Sequence, residues 1–141
     1  MENREVVVAS TAAPFEQSIA VGPHRLTSDE QAPSGGDGGP GPYDLLLAAL
    51  GACTSMTLKA YARLKQWPLQ DVVVKLTHER VYAEDCAGCE DQDRRIDRVE
   101  RRITLTGPLS PEQTARLLQI ADRCPVHKTL THTVQVRTRL A

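Results

Sequence analysis

Two cysteines stand in settings that bear on sulfur chemistry. Cys124 precedes a proline in Ala121-Asp122-Arg123-Cys124-Pro125-Val126-His127-Lys128. A residue before proline at a helix start has N-cap geometry, and the backbone N–H groups gathered there favour a thiolate. Arg123, His127 and Lys128 add positive charge nearby, and His127, one turn on, is placed to tune the thiol. Cys53 stands inside Leu45-Leu46-Leu47-Ala48-Ala49-Leu50-Gly51-Ala52-Cys53-Thr54-Ser55-Met56-Thr57-Leu58, 14 residues without a charge. It falls three turns into its expected helix, too deep for the helix end to act on it. Alone it reads more readily as a small core hydrophobe than as a reactive thiol. To react it needs a cation from elsewhere in the fold, or an apolar substrate. The two cysteines are 71 residues apart, so only the fold brings them together. A buried thiol beside a second thiol at a helix start points to redox or nucleophilic sulfur chemistry.

The other two cysteines form Cys86-Ala87-Gly88-Cys89 among Glu84, Asp85, Glu90 and Asp91. Acidic neighbours disfavour thiolates, which argues against a thioredoxin-like role. A zinc site needs four ligands and one CxxC supplies two, so a metal at Cys86 and Cys89 requires a second pair from a partner subunit, or His78. The plain alternative is a solvent loop with incidental thiols. His24, His78 and His132 read as strand-surface or packing residues. Five arginines between Arg94 and Arg102 are interleaved with Asp97 and Glu100, the pattern of a solvated strand face. The run Pro33-Ser34-Gly35-Gly36-Asp37-Gly38-Gly39-Pro40-Gly41-Pro42 lacks the lysine and following hydroxyl of a phosphate loop, which excludes a nucleotide site of that kind.

The elements that must position these residues can be read along the chain. With 141 residues it is most simply one domain with a core of its own. Seventeen basic and 18 acidic residues give a net charge of −1, so no nucleic-acid partner is expected. The first residues, Met1-Glu2-Asn3-Arg4-Glu5, have no apolar signal core. Leu45 to Leu58 is too short to span a bilayer and suits a buried helix, so no membrane is expected. Four cysteines without an export signal point to the cytoplasm.

Glu5 to Ala9, Phe15 to Val21 and His24 to Ser28 read as three strands, the last two joined by the Gly22-Pro23 turn. The Gly-rich run reads as a mobile loop. Gly41 then caps a helix with Pro42 in its first position, running to about Lys65 and ended by Trp67-Pro68. It is apolar nearly all round, the mark of a central buried helix. Its strip of Ala48, Gly51, Ala52 and Ser55 lets another backbone approach closely. Val72 to Tyr82 and Arg98 to Thr106 read as paired strands, with Val99, Ile103 and Leu105 on one face. Ser110, Pro111 and Gln113 form a capping-box start for a helix that stops near Cys124. Pro125 opens a short helix to Leu130, and Thr133 to Leu140 alternates as a last strand. The order β-β-β-α-β-β-α-α-β is an α+β domain with antiparallel sheets.

Gly41 to Thr54 resembles the central-helix signature of the OsmC/Ohr family, the osmotically inducible protein C and organic hydroperoxide resistance proteins. Ala121 to Leu130 resembles the family's second cysteine motif, and the order of elements is similar too. The resemblance implies an intertwined homodimer with two six-stranded sheets around central helices and active sites at the subunit interface. It implies that Cys53 attacks a small-molecule, fatty-acid-like hydroperoxide and that Cys124 resolves the sulfenic acid as a disulfide. A thiol reductant, such as a dithiol or lipoyl protein, then restores both; no bound cofactor is implied. In peroxide-reducing members a glutamate follows the helix-start proline and works with an arginine from the N-terminal strands. Here Tyr43 and Asp44 follow Pro42, and Arg25 is the only N-terminal candidate beyond Arg4. A Tyr43–Asp44 pair is the substitute for orienting a cation or water. The chain is similar to the general OsmC-like branch rather than to organic hydroperoxide resistance proteins proper. The alternatives are a binding protein of the same fold for an apolar or thioester-like small molecule, and an interaction module with a structural metal at Cys86 and Cys89.

Overall fold

The computed structural model describes residues 3–82 and 95–141. Cys86 and Cys89 lie outside the described residues. Two compact units are formed, one ending at Leu46 and the other running Leu47–Ala141.

The first unit is an antiparallel meander of β1 (Val6–Ser10), β2 (Gln17–Val21) and β3 (His24–Ser28). β2 is central, with Val8 opposite Ile19 and Ile19 opposite Leu26. Ile19 is its one buried strand hydrophobe among the described residues. The Gly-rich segment differs from the expected mobile loop, because β3 ends in two buried polar residues that hold it. Ser28 Oγ and the Asp29 N–H both donate to the Pro40 carbonyl, at 2.8 and 3.3 Å. The Asp29 carboxylate accepts the N–H groups of Glu30 at 2.8 Å and Gly38 at 3.0 Å. A buried carboxylate must collect donors, and the glycine backbone supplies them.

The loop delivers the chain to α1 (Pro42–Lys65). Its start is as expected, with Pro42 first and the Leu45 N–H donating to the Gly41 carbonyl at 3.1 Å. Asp44 reaches back to accept the Gly41 N–H at 2.9 Å. The far end closes in a Schellman motif: the Trp67 N–H donates to Ala62 O at 2.8 Å and the Gln66 N–H to Arg63 O at 3.2 Å. Gln66 occupies the left-handed position, φ +57°, that glycine usually fills.

The second unit is built on a hairpin of β4 (Asp71–Tyr82) and β5 (Arg95–Thr106). β5 begins three residues before the expected Arg98, because pairing continues to Tyr82 opposite Arg95. One face carries the cross-strand pairs Val72–Leu105, Val74–Ile103, Leu76–Arg101 and His78–Val99, all half-buried. α1 packs on that face along Leu50, Thr54, Leu58 and Ala62, spaced one helical turn apart. The approach is closest at Gly51, where a Cβ would stand 2.8 Å from Leu76 Cδ1, so glycine is the residue that fits without moving Leu76. α2 (Pro111–Ala121) closes the core with Leu117, Ile120 and Ala121 against Leu58 and Ala62. Leu58 and Leu117 are wholly buried, each contributing about 1.5–3 kcal/mol of apolar burial. The Ser110–Gln113 capping box forms in both directions, at 2.9 and 3.1 Å.

Within the single chain, one sheet and one helix cover one stripe of α1, and Met56 and Leu64 remain 70% and 79% exposed. One expectation is corrected. Residues 133–140 follow α3 (Pro125–Leu130) without forming a strand. Their alternation is that of a strand, but a strand needs a neighbouring ladder, and among the described residues this segment pairs with none. Val134, Val136 and Leu140 are accordingly exposed.

Candidate functional site

Where α2 ends and α3 begins, the chain makes a tight corner at Asp122-Arg123-Cys124. Cys124 is the N-cap of α3, in extended conformation (φ −64°, ψ 139°), and its Sγ accepts the His127 N–H at 3.2 Å. The corner turns the thiol inward, where it is wholly buried. It faces α1: Thr54 Oγ1 lies 3.9 Å from Cys124 Sγ. Thr54 is itself wholly buried and donates its hydroxyl proton to the Leu50 carbonyl one turn earlier, at 2.7 Å.

The cation of this cluster is Arg101. On β5 it takes the inward position between Val99 and Ile103, and its side chain is only 12% exposed. One guanidinium nitrogen donates to Thr54 Oγ1 at 2.9 Å and to the Ala121 carbonyl at 3.3 Å. The other donates to Asp122 Oδ1 at 2.9 Å and meets His127 Nδ1 at 3.3 Å. A guanidinium has no lone pair to give, so Nδ1 is the acceptor and the ring proton sits on Nε2. None of the cluster's buried side-chain nitrogen or oxygen atoms is left without a partner among the described residues.

Beside the cluster opens a groove of about 410 Å³, with Val99, Ile103, Leu118 and Leu130 as apolar walls and Arg101 and His127 at its polar end. Leu118 and Leu130 stand open, at 62% and 41% exposure. Asp97 lies at the groove's rim, its carboxyl held below the usual range by the His78 hydrogen bond at 2.7 Å and by the nearby Arg80.

A family model described as OsmC-like protein matches residues 35–139, which include both cysteine motifs and the corner. The chain belongs to the OsmC-like family. Solved structures of that family share its fold. An OsmC-like protein from Mycoplasma pneumoniae superposes with a TM-score of 0.73 at 18% identity, over 92% of this chain and 87% of the other. An organic hydroperoxide resistance protein OsmC from Legionella pneumophila gives 0.67 at 16% identity, over 93% and 90%. The organic hydroperoxide resistance protein OhrB of Bacillus subtilis gives 0.63 at 17% identity, over 92% and 91%. Among curated protein sequences none matches the chain.

Within this OsmC-like fold the residues singled out from sequence have different fates. Cys124 and His127 come together as described. Cys53 is a half-buried free thiol on α1, next in sequence to the Thr54 that faces Cys124. Asp44 caps α1 through Gly41, with Tyr43 half-exposed beside it. Arg25 is turned onto its own hairpin, donating to the Gly22 and His24 carbonyls at 2.9 Å each. Arg25, Tyr43 and Asp44 all belong to the first compact unit. Among the described residues no group of His, Cys, Asp and Glu is arranged to hold a metal.

Arg101, Thr54 and Asp122 were missed. Arg101 was read as part of a solvated arginine run, yet its parity on β5 matches Val99, Ile103 and Leu105. A charge at an inward strand position signals a buried polar partner. Thr54 gave no signal beyond adjacency to Cys53.

Proposed function

We propose that the protein is a thiol-dependent peroxidase for organic, fatty-acid-like hydroperoxides, working through Cys53 and Cys124 in a homodimer. The observation that carries this reading is the contrast between the two thiols. Cys53 is half-buried and open to a small molecule, whereas Cys124 is wholly buried, with a neighbour of Cys53 against its sulfur. Reactivity toward peroxide follows thiolate character and access together. Access favours Cys53 as the attacking thiol and Cys124 as the resolving one, although the helix-start setting by itself favours Cys124.

In the first step the Cys53 thiolate attacks the distal peroxide oxygen. The O–O bond breaks, the alcohol leaves with a proton, and Cys53 becomes a sulfenic acid. In the second, Cys124 attacks the Cys53 sulfur; an S–S bond forms, the S–O bond breaks, and water leaves. A dithiol then reduces the disulfide and is itself oxidised to a disulfide. The apolar walls of the groove suit an alkyl chain, with Arg101 and His127 at its polar end.

One equivalent of cumene hydroperoxide added to the reduced protein should remove two titratable thiols. Mass spectrometry should then find a Cys53–Cys124 cross-link. In Cys124→Ser the oxidation should stop at a Cys53 sulfenic acid that dimedone traps. Oxidation of Cys124 in Cys53→Ser would reverse the roles. An unchanged thiol count would favour the second reading, a protein that binds an apolar small molecule in the same groove.

A further inference from the structure

We propose that Arg101 is a positioning residue for the Cys124 thiol, acting through a switchable hydroxyl on Thr54. The proposal rests on reading Cys124 as the resolving cysteine. In the resting cluster the Thr54 proton is committed to the Leu50 carbonyl, and one lone pair accepts from Arg101. The second lone pair faces Cys124 Sγ, so the thiol S–H is the donor of that contact. When Cys124 loses its proton the contact must reverse. The Thr54 hydroxyl turns from Leu50 to the sulfur and donates to the thiolate. The Leu50 carbonyl keeps its helical bond.

Arg101 contributes in two ways. Its N–H holds Thr54 Oγ1 in place through the turn, and its charge polarises the hydroxyl into a better donor. Its second nitrogen accounts for the His127 Nδ1 lone pair, which fixes the corner whose N–H already points at the sulfur. The thiolate therefore meets two donors, the His127 N–H and the Thr54 hydroxyl, in a site closed to water. Asp122 meets the same guanidinium directly at 2.9 Å but is largely exposed, so solvent screens its offset of the cation. During resolution the Cys124 proton ends on the departing hydroxide as water, so the hydroxyl is turned and not consumed.

The test isolates Cys124 by replacing Cys53, Cys86 and Cys89 with serine, which leaves one thiol of the four. Because the sulfur is wholly buried, its ionisation is followed directly by thiolate ultraviolet absorbance across pH, against the variant that lacks all four thiols. Thr54→Val removes the hydroxyl and keeps the shape, Thr54→Ser restores the hydroxyl, and Arg101→Met removes the guanidinium. A hydrogen bond to a charged group is worth about tenfold or more in an equilibrium. The rise of the thiolate signal in Thr54→Val should move to higher pH by about tenfold in proton concentration, and Thr54→Ser should recover the profile. Arg101→Met should shift the profile in the same direction. If Arg101→Met does not fold, the Thr54 pair alone decides. Coincident profiles for Thr54→Val and Thr54→Ser at matched thermal stability would overturn the proposal. This comparison uses no peroxide, so an absence of peroxidase activity in the four-cysteine protein would refute the proposed function and leave this result readable.

Discussion

Gln66→Gly should stabilise the protein, although it places glycine at a helix end. Gln66 sits at φ +57° in the Schellman turn that closes α1. A side chain in left-handed conformation costs about 1–2 kcal/mol from contact between Cβ and the following carbonyl. Glycine escapes that cost but loses about 0.5–1 kcal/mol more backbone entropy on folding. The Gln66 N–H and the Trp67 N–H keep their acceptors in either case, so the difference of the two effects is the net result, about 0.5–1 kcal/mol of stabilisation. With about 2.1 cal/mol/K of unfolding entropy per residue, the whole chain carries about 0.3 kcal/mol/K, and the melting temperature should rise about 2–3 °C. Calorimetry at one fixed protein concentration checks this, since association makes melting concentration-dependent. Gln66→Ala is the control: it keeps the Cβ and should not rise. A Gln66→Gly variant that melts lower than wild type, or an alanine variant that gains as much as glycine, would refute the reasoning.

Leu117→Ala should cost about 2–5 kcal/mol, since Leu117 of α2 is wholly buried in the core with Leu58 and Ala62 of α1; urea unfolding measures it. Asp97 has its carboxyl lowered below 3.8 by the His78 hydrogen bond, then by Arg80, so its contribution to stability is present above about pH 4 and is lost as pH falls through the lowered value. The urea midpoint of wild type should therefore exceed that of Asp97→Asn at pH 6, and the gap should narrow as pH falls through the lowered value; it should be small and shrink in salt, because Asp97 is 58% exposed.

Helix ends were the most legible part of the fold. Gly41-Pro42, Ser110-Pro111 and Cys124-Pro125 each begin a helix within one residue of the place the sequence indicates, because capping chemistry is local. The strands were legible where alternation was strong, but the reach of β5 back to Arg95 depends on what β4 offers across the ladder. The Gly-rich loop looked structureless because its order comes from Asp29, outside the glycine run. For the site, Cys124 and His127 lie in one local motif and were found together. Arg101 reaches the same corner from 20 residues before Ala121, and composition drew attention to the charge of its run when parity carried the information. The alternating segment 133–140 shows the limit from the other side: the pattern is present, and no strand pairing accompanies it among the described residues.

The inward arginine of β5 also acts on the folding of the hairpin. The inner rows of two twelve-residue strands, rich in interchangeable Val, Ile and Leu, have several pairings of similar apolar gain. A one-residue slip of β5 would turn its whole inner row outward and bring Glu100 or Arg102 to the place facing Thr54 and the Ala121 carbonyl. Glu100 has no proton to donate to that carbonyl, and Arg102 would arrive with Ile103 driven into solvent. A two-residue slip would keep parity but carry the guanidinium about 7 Å along the strand, away from all four of its acceptors. A cation that finds satisfaction in one alignment only serves as a register mark for the sheet, so the corner that holds the thiol also checks that the strand beneath it has paired correctly.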